Sequence, residues 1–67
     1  MNITLNNRLE YFDKESLTVQ ELLQIKNFTF KMLIIKLNGR LIKKHEYNSA
    51  IINNKDNVTV LHLISGG

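Results

Sequence analysis

The chain contains no cysteine. No disulfide can staple it, no thiolate can hold a metal, and no thiol can serve as a covalent catalyst. Glycine is scarce: among 67 residues there are three, Gly39 and the pair Gly66-Gly67. Long apolar runs are missing too. The longest is Met32 to Ile35, far short of the roughly 20 residues that a membrane-spanning helix needs. With no signal-peptide pattern either, the expectation is a soluble, intracellular protein. Charge of one sign is not concentrated. The net charge is +3, but the lysines are scattered and Lys43-Lys44 is the one adjacent pair of them. A nucleic-acid binder would show a basic stripe with interleaved aromatics. Neither nucleic acid nor a membrane is therefore an expected partner.

What is present is a succession of short, well-punctuated elements. Met1, Ile3 and Leu5 alternate with Asn2 and Thr4, the pattern of a half-buried strand. Asn6-Asn7 tolerates the positive φ of a tight hairpin, and Arg8 to Phe12 reads as the returning strand. Its inward face is open: Leu9/Tyr11 and Glu10/Phe12 both alternate. After the polar turn Asp13 to Ser16, Thr18 and Glu21 form a T-x-x-E capping box, with Leu17 and Leu22 placed for a hydrophobic staple. Val19, Leu22 and Leu23, with Ile25 beside them, give a helix its apolar stripe. Lys26 suits the negative end of that helix, and Asn27 a left-handed stop.

Phe30 to Leu37 is strongly β-prone, with Leu33, Ile35 and Leu37 on one face and Ile34 and Lys36 on the other. Asn38-Gly39 is the strongest hairpin signal in the chain, since a type I′ turn needs φ > 0 at both central residues. Arg40 to Lys43 returns as a short edge strand whose lysines discourage aggregation. His45 to Ile52 lacks alternation and reads as a short turn or one-turn helix, with Tyr47 and Ile51 or Ile52 plugging the core. Asn53 to Asn57 is a turn cluster. Val58 to Ile64 is the last strand, with Val58 and Val60 inward and Thr59 and Leu61 outward. The order is ββαββ, a turn, then β. A single helix covering one face of a mixed sheet of about five strands is a two-layer α+β arrangement. The last strand is expected centrally, beside the first, as part of one domain over 1–67. A flexible tail, 64–67, would follow it. Two glycines there make a thin peptide that could thread a narrow channel and present a carboxylate. Fully extended, Ile64 to Gly67 reaches on the order of 12 Å beyond the sheet.

Taken together, these pieces resemble the sulfur carriers of thiamine biosynthesis, the ThiS family of ubiquitin-like β-grasp proteins. The resemblance rests on Met1-Asn2-Ile3 with Leu5-Asn6, Thr18-Val19 with Leu22-Leu23, and Leu37-Asn38-Gly39 with Ile42. It continues through Glu46-Tyr47 to Asp56, Val58, Val60-Leu61-His62 and Gly66-Gly67. It covers nearly the whole chain. There are departures. The family often has proline where this chain has Lys43, and glycine where it has Lys55, so a changed turn type is expected at Lys55. Family members are commonly acidic, whereas this chain is basic.

The resemblance implies a carrier and not an enzyme. In the family an E1-like adenylyltransferase, using ATP and magnesium, adenylates the C-terminal carboxylate. Sulfur from a persulfide donor protein displaces AMP, and the resulting thiocarboxylate gives its sulfur to thiazole synthase. By resemblance Gly67 is the residue activated and sulfurated, Ser65 and Gly66 thread the partner active sites, and no cofactor is permanently bound. Ile34, Thr59, Leu61 and Leu63 are the candidate docking residues on the uncovered sheet face, where a carrier must be recognised by two enzymes in turn. His45 and His62 read as surface residues, with no partner at metal-ligand spacing. Lys43-Lys44 reads as a solvated edge, and contact with an acidic partner as the alternative. The free chain is expected to be a monomer, in the cytoplasm, or in the plastid stroma if organelle-encoded. Alternatives are the small subunit of molybdopterin synthase, a modifier that conjugates to lysines, and an inert β-grasp domain. Molybdopterin synthase subunits commonly carry a Pro-Pro pair before the tail, where this chain has His62-Leu63-Ile64-Ser65.

Overall fold

The computed structural model describes residues 1–29 and 31–63. Strand β1 (Asn2–Leu5) turns back through Asn6 and Asn7, at φ 51° and 67°, into β2 (Arg8–Tyr11). A short β3 (Ser16–Thr18) leads into helix α1 (Val19–Ile25). Strands β4 (Leu33–Leu37) and β5 (Arg40–Ile42) form the second hairpin across Asn38 and Gly39, at φ 51° and 84°. A turn of 3-10 helix (Lys44–Glu46) follows, then β6 (Ile51–Asn53) and β7 (Asn57–His62).

The main sheet has the order β2-β1-β7-β4-β5. Strand β7 is central, parallel to β1 and antiparallel to β4. Helix α1 contributes Val19, Leu22 and Leu23 to a core shared with Ile3, Leu5, Ile35, Leu37, Ile42, Val58 and Val60. This is the β-grasp arrangement expected above.

Local chemistry explains the helix boundaries. The Thr18 hydroxyl accepts from the Glu21 N–H at 3.0 Å, and the Glu21 carboxylate accepts from the Thr18 N–H at 2.9 Å. Those bonds hold the Glu21 carboxyl below its ordinary range, the Thr18 N–H being the main cause. At the other end Asn27 takes φ 57°, its N–H reaches the Gln24 carbonyl, and the Phe28 N–H reaches that of Leu23. These are the paired bonds of a Schellman stop.

The structure departs from the sequence reading in several places. Strands β3 and β6 pair with each other as a separate two-stranded sheet, Leu17 opposite Ile52, where only a staple and a turn were expected. Each is three residues long and sends one fully buried side chain inward, too short a run for alternation to register. Ile25 is 49% exposed and outside the core, because it lies about 200° around the helix from Leu23. The open face of β2 resolves with Leu9 and Tyr11 outward. Glu10 lies on the inner side at the sheet edge, where the Lys26 ammonium meets both its oxygens at 2.8 and 2.9 Å. Ile52 is the buried plug of the pair considered; Ile51 is half-exposed. Strand β4 begins at Leu33, later than expected, and Phe30 lies outside the described residues. Lys55 adopts φ 72°, the left-handed conformation that glycine takes at less cost, so this turn carries a lysine under local strain.

Candidate functional site

The site is organised by the path of β7. Its pairing with β1 is brief, Thr4 opposite Asn57 and Leu5 opposite Val58. Beyond that point Asn6 takes over with its side chain. Its amide oxygen accepts from the Val60 N–H at 2.8 Å, and its amide nitrogen donates to the Val60 carbonyl at 3.1 Å. A side chain thus imitates one more strand residue after β1 has turned away. From Leu61 onward the ladder of β7 runs along β4, with Ile34 opposite Leu61 and Leu33 opposite His62. The ladder closes with the Leu63 N–H on the Met32 carbonyl at 3.0 Å. The expectations for Ile64, Ser65, Gly66 and Gly67 lie outside the described residues.

Side-chain alternation along β7 sends Val58 and Val60 into the core and Thr59 and Leu61 the other way, and Leu63, one residue past its end, lines a cleft together with Ile34. Ile34 sits directly across from Leu61, and Lys36 across from Thr59. Ile34, Thr59 and Leu61, three of the four expected docking residues, are therefore brought together on the sheet face opposite α1. Thr59 and Ile34 are half-buried, while Leu61 and Leu63 are exposed by 49% and 41%. Leu41, opposite Lys36 on β5, extends the apolar strip. Leu9 and Tyr11 on β2 lie at its far side, exposed by 83% and 67%. Sequence reasoning left β2 ambiguous and so missed this extension. Asn6 was read only as a turn former; its reach to Val60 depends on a strand brought from the other end of the chain.

At the opposite end of the sheet, Asn38 and Asp56 tie the second hairpin to the start of β7. The Asn38 amide oxygen accepts from the Asn57 N–H at 2.8 Å, and its nitrogen donates to Asp56 at 3.1 Å. The Glu46 carboxyl is held below its ordinary range, first by the Lys43 N–H and then by Arg40 at 3.4 Å. Burial pushes the Tyr47 hydroxyl up. His45 and His62 are both exposed. Among the described residues no cluster of three His, Asp or Glu could hold a metal ion, and no helix is long and apolar enough to cross a membrane.

With this geometry, three comparisons are informative. The model of the ThiS family matches residues 3–67. The chain is similar to the crystal structure of the thiamine biosynthesis protein (ThiS) from Geobacter metallireducens, with a TM-score of 0.90 and 29% identity over all of both chains. It is also similar to the solution structure of a thiamine biosynthesis protein from Geobacter metallireducens. There the TM-score is 0.81 and the identity 29%, over 100% of this chain and 88% of the other. No curated protein matches the chain.

Proposed function

The chain belongs to the ThiS family, and from that membership we propose that it carries sulfur for thiamine biosynthesis, with the Gly67 carboxylate as the reacting group. A carboxylate is a poor electrophile, so it must first gain a leaving group. An E1-like adenylyltransferase joins it to the α-phosphorus of ATP, magnesium assisting, and releases pyrophosphate. The terminal sulfur of a persulfide on a donor protein then attacks the acyl carbon and AMP departs. Cleavage of the resulting acyl disulfide by a thiol leaves the thiocarboxylate, which delivers its sulfur to thiazole synthase. The carrier contributes no catalytic side chain. It contributes a narrow peptide, Ser65-Gly66-Gly67, and a face for recognition formed by Ile34, Thr59, Leu61 and Leu63.

The observation that carries this reading is the family match, which runs through Gly66 and Gly67 on a fold whose central strand leads toward them. The test is intact mass. The protein is incubated with ATP, magnesium, the adenylating enzyme and a persulfide donor. A gain equal to the difference between sulfur and oxygen, located on Gly67 by fragmentation, supports the proposal. An unchanged mass with a demonstrably active enzyme and donor contradicts it.

A further inference from the structure

Beside the exit of β7 lies a cleft of about 330 Å³, and three lysines line it: Lys31, Lys43 and Lys44. Its origin is in the strand register. The β4–β5 ladder ends at Ile35 opposite Ile42, because β5 gives way to the 3-10 turn. The β4–β7 ladder runs on to Leu33 opposite His62. Backbone groups alternate sides along a strand. Met32 and Asn38 both bond toward β7, so Leu33 turns its N–H and C=O to the side that β5 has left. Among the described residues a short open strand edge therefore borders the cleft. Met32, Leu41 and Leu63 supply apolar surface around it and are 50%, 51% and 41% exposed.

The charge is one-sided. All three lysines are exposed, and none is in an ion pair among the described residues. The neighbouring Glu46 carboxylate is engaged with Arg40 and the Lys43 N–H. Apolar surface, an open strand edge and three unmatched cations call for an extended peptide with an apolar side chain set between carboxylates.

We propose that this cleft receives an acidic, extended segment of the adenylating enzyme, with one aliphatic or aromatic side chain seated against Met32, Leu41 and Leu63. The choice of enzyme rests on the carrier reading above; the chemistry of the cleft does not. An enzyme that takes the tail must lie against its root, and Leu63 is at that root. Complementary charge there would speed encounter and fix the orientation in which the tail enters.

The first test uses the protein alone. Isotope-labelled parent is titrated with the peptide acetyl-Glu-Asp-Leu-Asp-Glu-amide and followed by amide NMR. Saturable shifts at Lys31, Met32, Leu41, Lys43 and Leu63 are expected. They should weaken several-fold when the peptide leucine becomes serine, or when its acids become their amides. Lys43→Glu/Lys44→Glu should weaken binding about tenfold, the scale of two exposed charge pairs, and so should Lys31→Glu/Lys44→Glu if the first variant folds poorly. No saturable shift at millimolar peptide, or equal shifts with the control peptides, overturns the proposal.

The second test uses the enzyme. Lys43→Glu/Lys44→Glu should raise the KM of adenylation about tenfold with kcat unchanged, and should weaken its salt dependence. Arg8→Glu/Lys14→Glu, a matched reversal away from the cleft, should leave both constants as they are. An unchanged KM in the lysine variant overturns the assignment to this enzyme. If the peptide binds but the parent is never adenylated, the cleft stands and the carrier reading falls.

Discussion

Asparagine does here what glycine does in other chains. Among the described residues five other than glycine have positive φ, and four are asparagines: Asn6, Asn7, Asn27 and Asn38. Their short amides tolerate the left-handed region, which lets a chain with three glycines make its turns. Asn6 does more, because its side chain closes two bonds to Val60. Asn6→Gly keeps the turn conformation accessible but removes both bonds. It should destabilise the fold by about 1 kcal/mol, a fall in Tm of roughly 4–8 °C for a domain of this size. Asn7→Gly, with no such bonds to lose, should be near neutral. Equal effects in thermal melts would mean that the Asn6 amide does not hold β7. A second residue-scale prediction concerns pH. The Glu21 and Glu46 carboxyls are both depressed below 4.5 by backbone N–H groups. A group depressed in the folded state stabilises it above the unfolded value and loses that effect as pH falls through the folded value. Denaturation at several pH values should therefore show the parent more stable than Glu21→Gln/Glu46→Gln near neutrality. That advantage should shrink below about pH 4.5. A constant difference across that range would contradict the assigned caps.

At the scale of elements, β7 ties the molecule together. It joins two hairpins that lie far apart in sequence, and Val58 and Val60 are its buried side chains. Val60→Asp places an unpaired carboxylate in that core. Such a group costs several kcal/mol, a large share of the stability of a small domain, so the variant should lose its native circular dichroism. A native spectrum and melting temperature would mean that the strand faces the other way. The elements legible in the sequence were those with their own local signals. The Thr18 box, the Asn27 stop, the Asn38-Gly39 turn and the alternation of β1 and β7 all declare themselves within a few residues. What escaped depends on distant partners. Leu17 and Ile52 make a strand pair only once α1 and β7 have brought them together. The face of β2 stayed open because Leu9/Tyr11 and Glu10/Phe12 both alternate, and the Lys26 ammonium that meets Glu10 on the inner side comes from the end of the helix. The common face of Ile34, Thr59 and Leu61 was legible because alternation along β4 and β7 fixes it. The cleft was not, because it arises where one ladder stops two residues before its neighbour.

At the scale of the whole molecule, one sheet face is closed by α1 and the other carries Ile34, Leu61, Leu41, Leu9 and Tyr11 toward solvent. Leu61→Glu changes that face and leaves the core alone. It should fold like the parent, with Tm shifted by no more than a few degrees, yet bind the adenylating enzyme at least tenfold more weakly, as truncation of a central apolar contact does at about 1.4 kcal/mol. Unchanged affinity in calorimetry would move docking off this face. The central claim is that the fold exists to deliver the Gly67 carboxylate to another protein's active site. The most direct measurement compares the parent with a protein carrying one alanine appended after Gly67. The core is untouched, so both should fold alike. Adenylation demands a carboxylate seated against the α-phosphorus, where a displacement of about 1 Å can cost a hundredfold in rate. Under identical incubation with ATP, magnesium, enzyme and persulfide donor, intact mass should show sulfur replacing oxygen in the parent and no change in the extended protein. Sulfuration of the extended protein at the parent's rate, with the alanine still attached, would contradict the account.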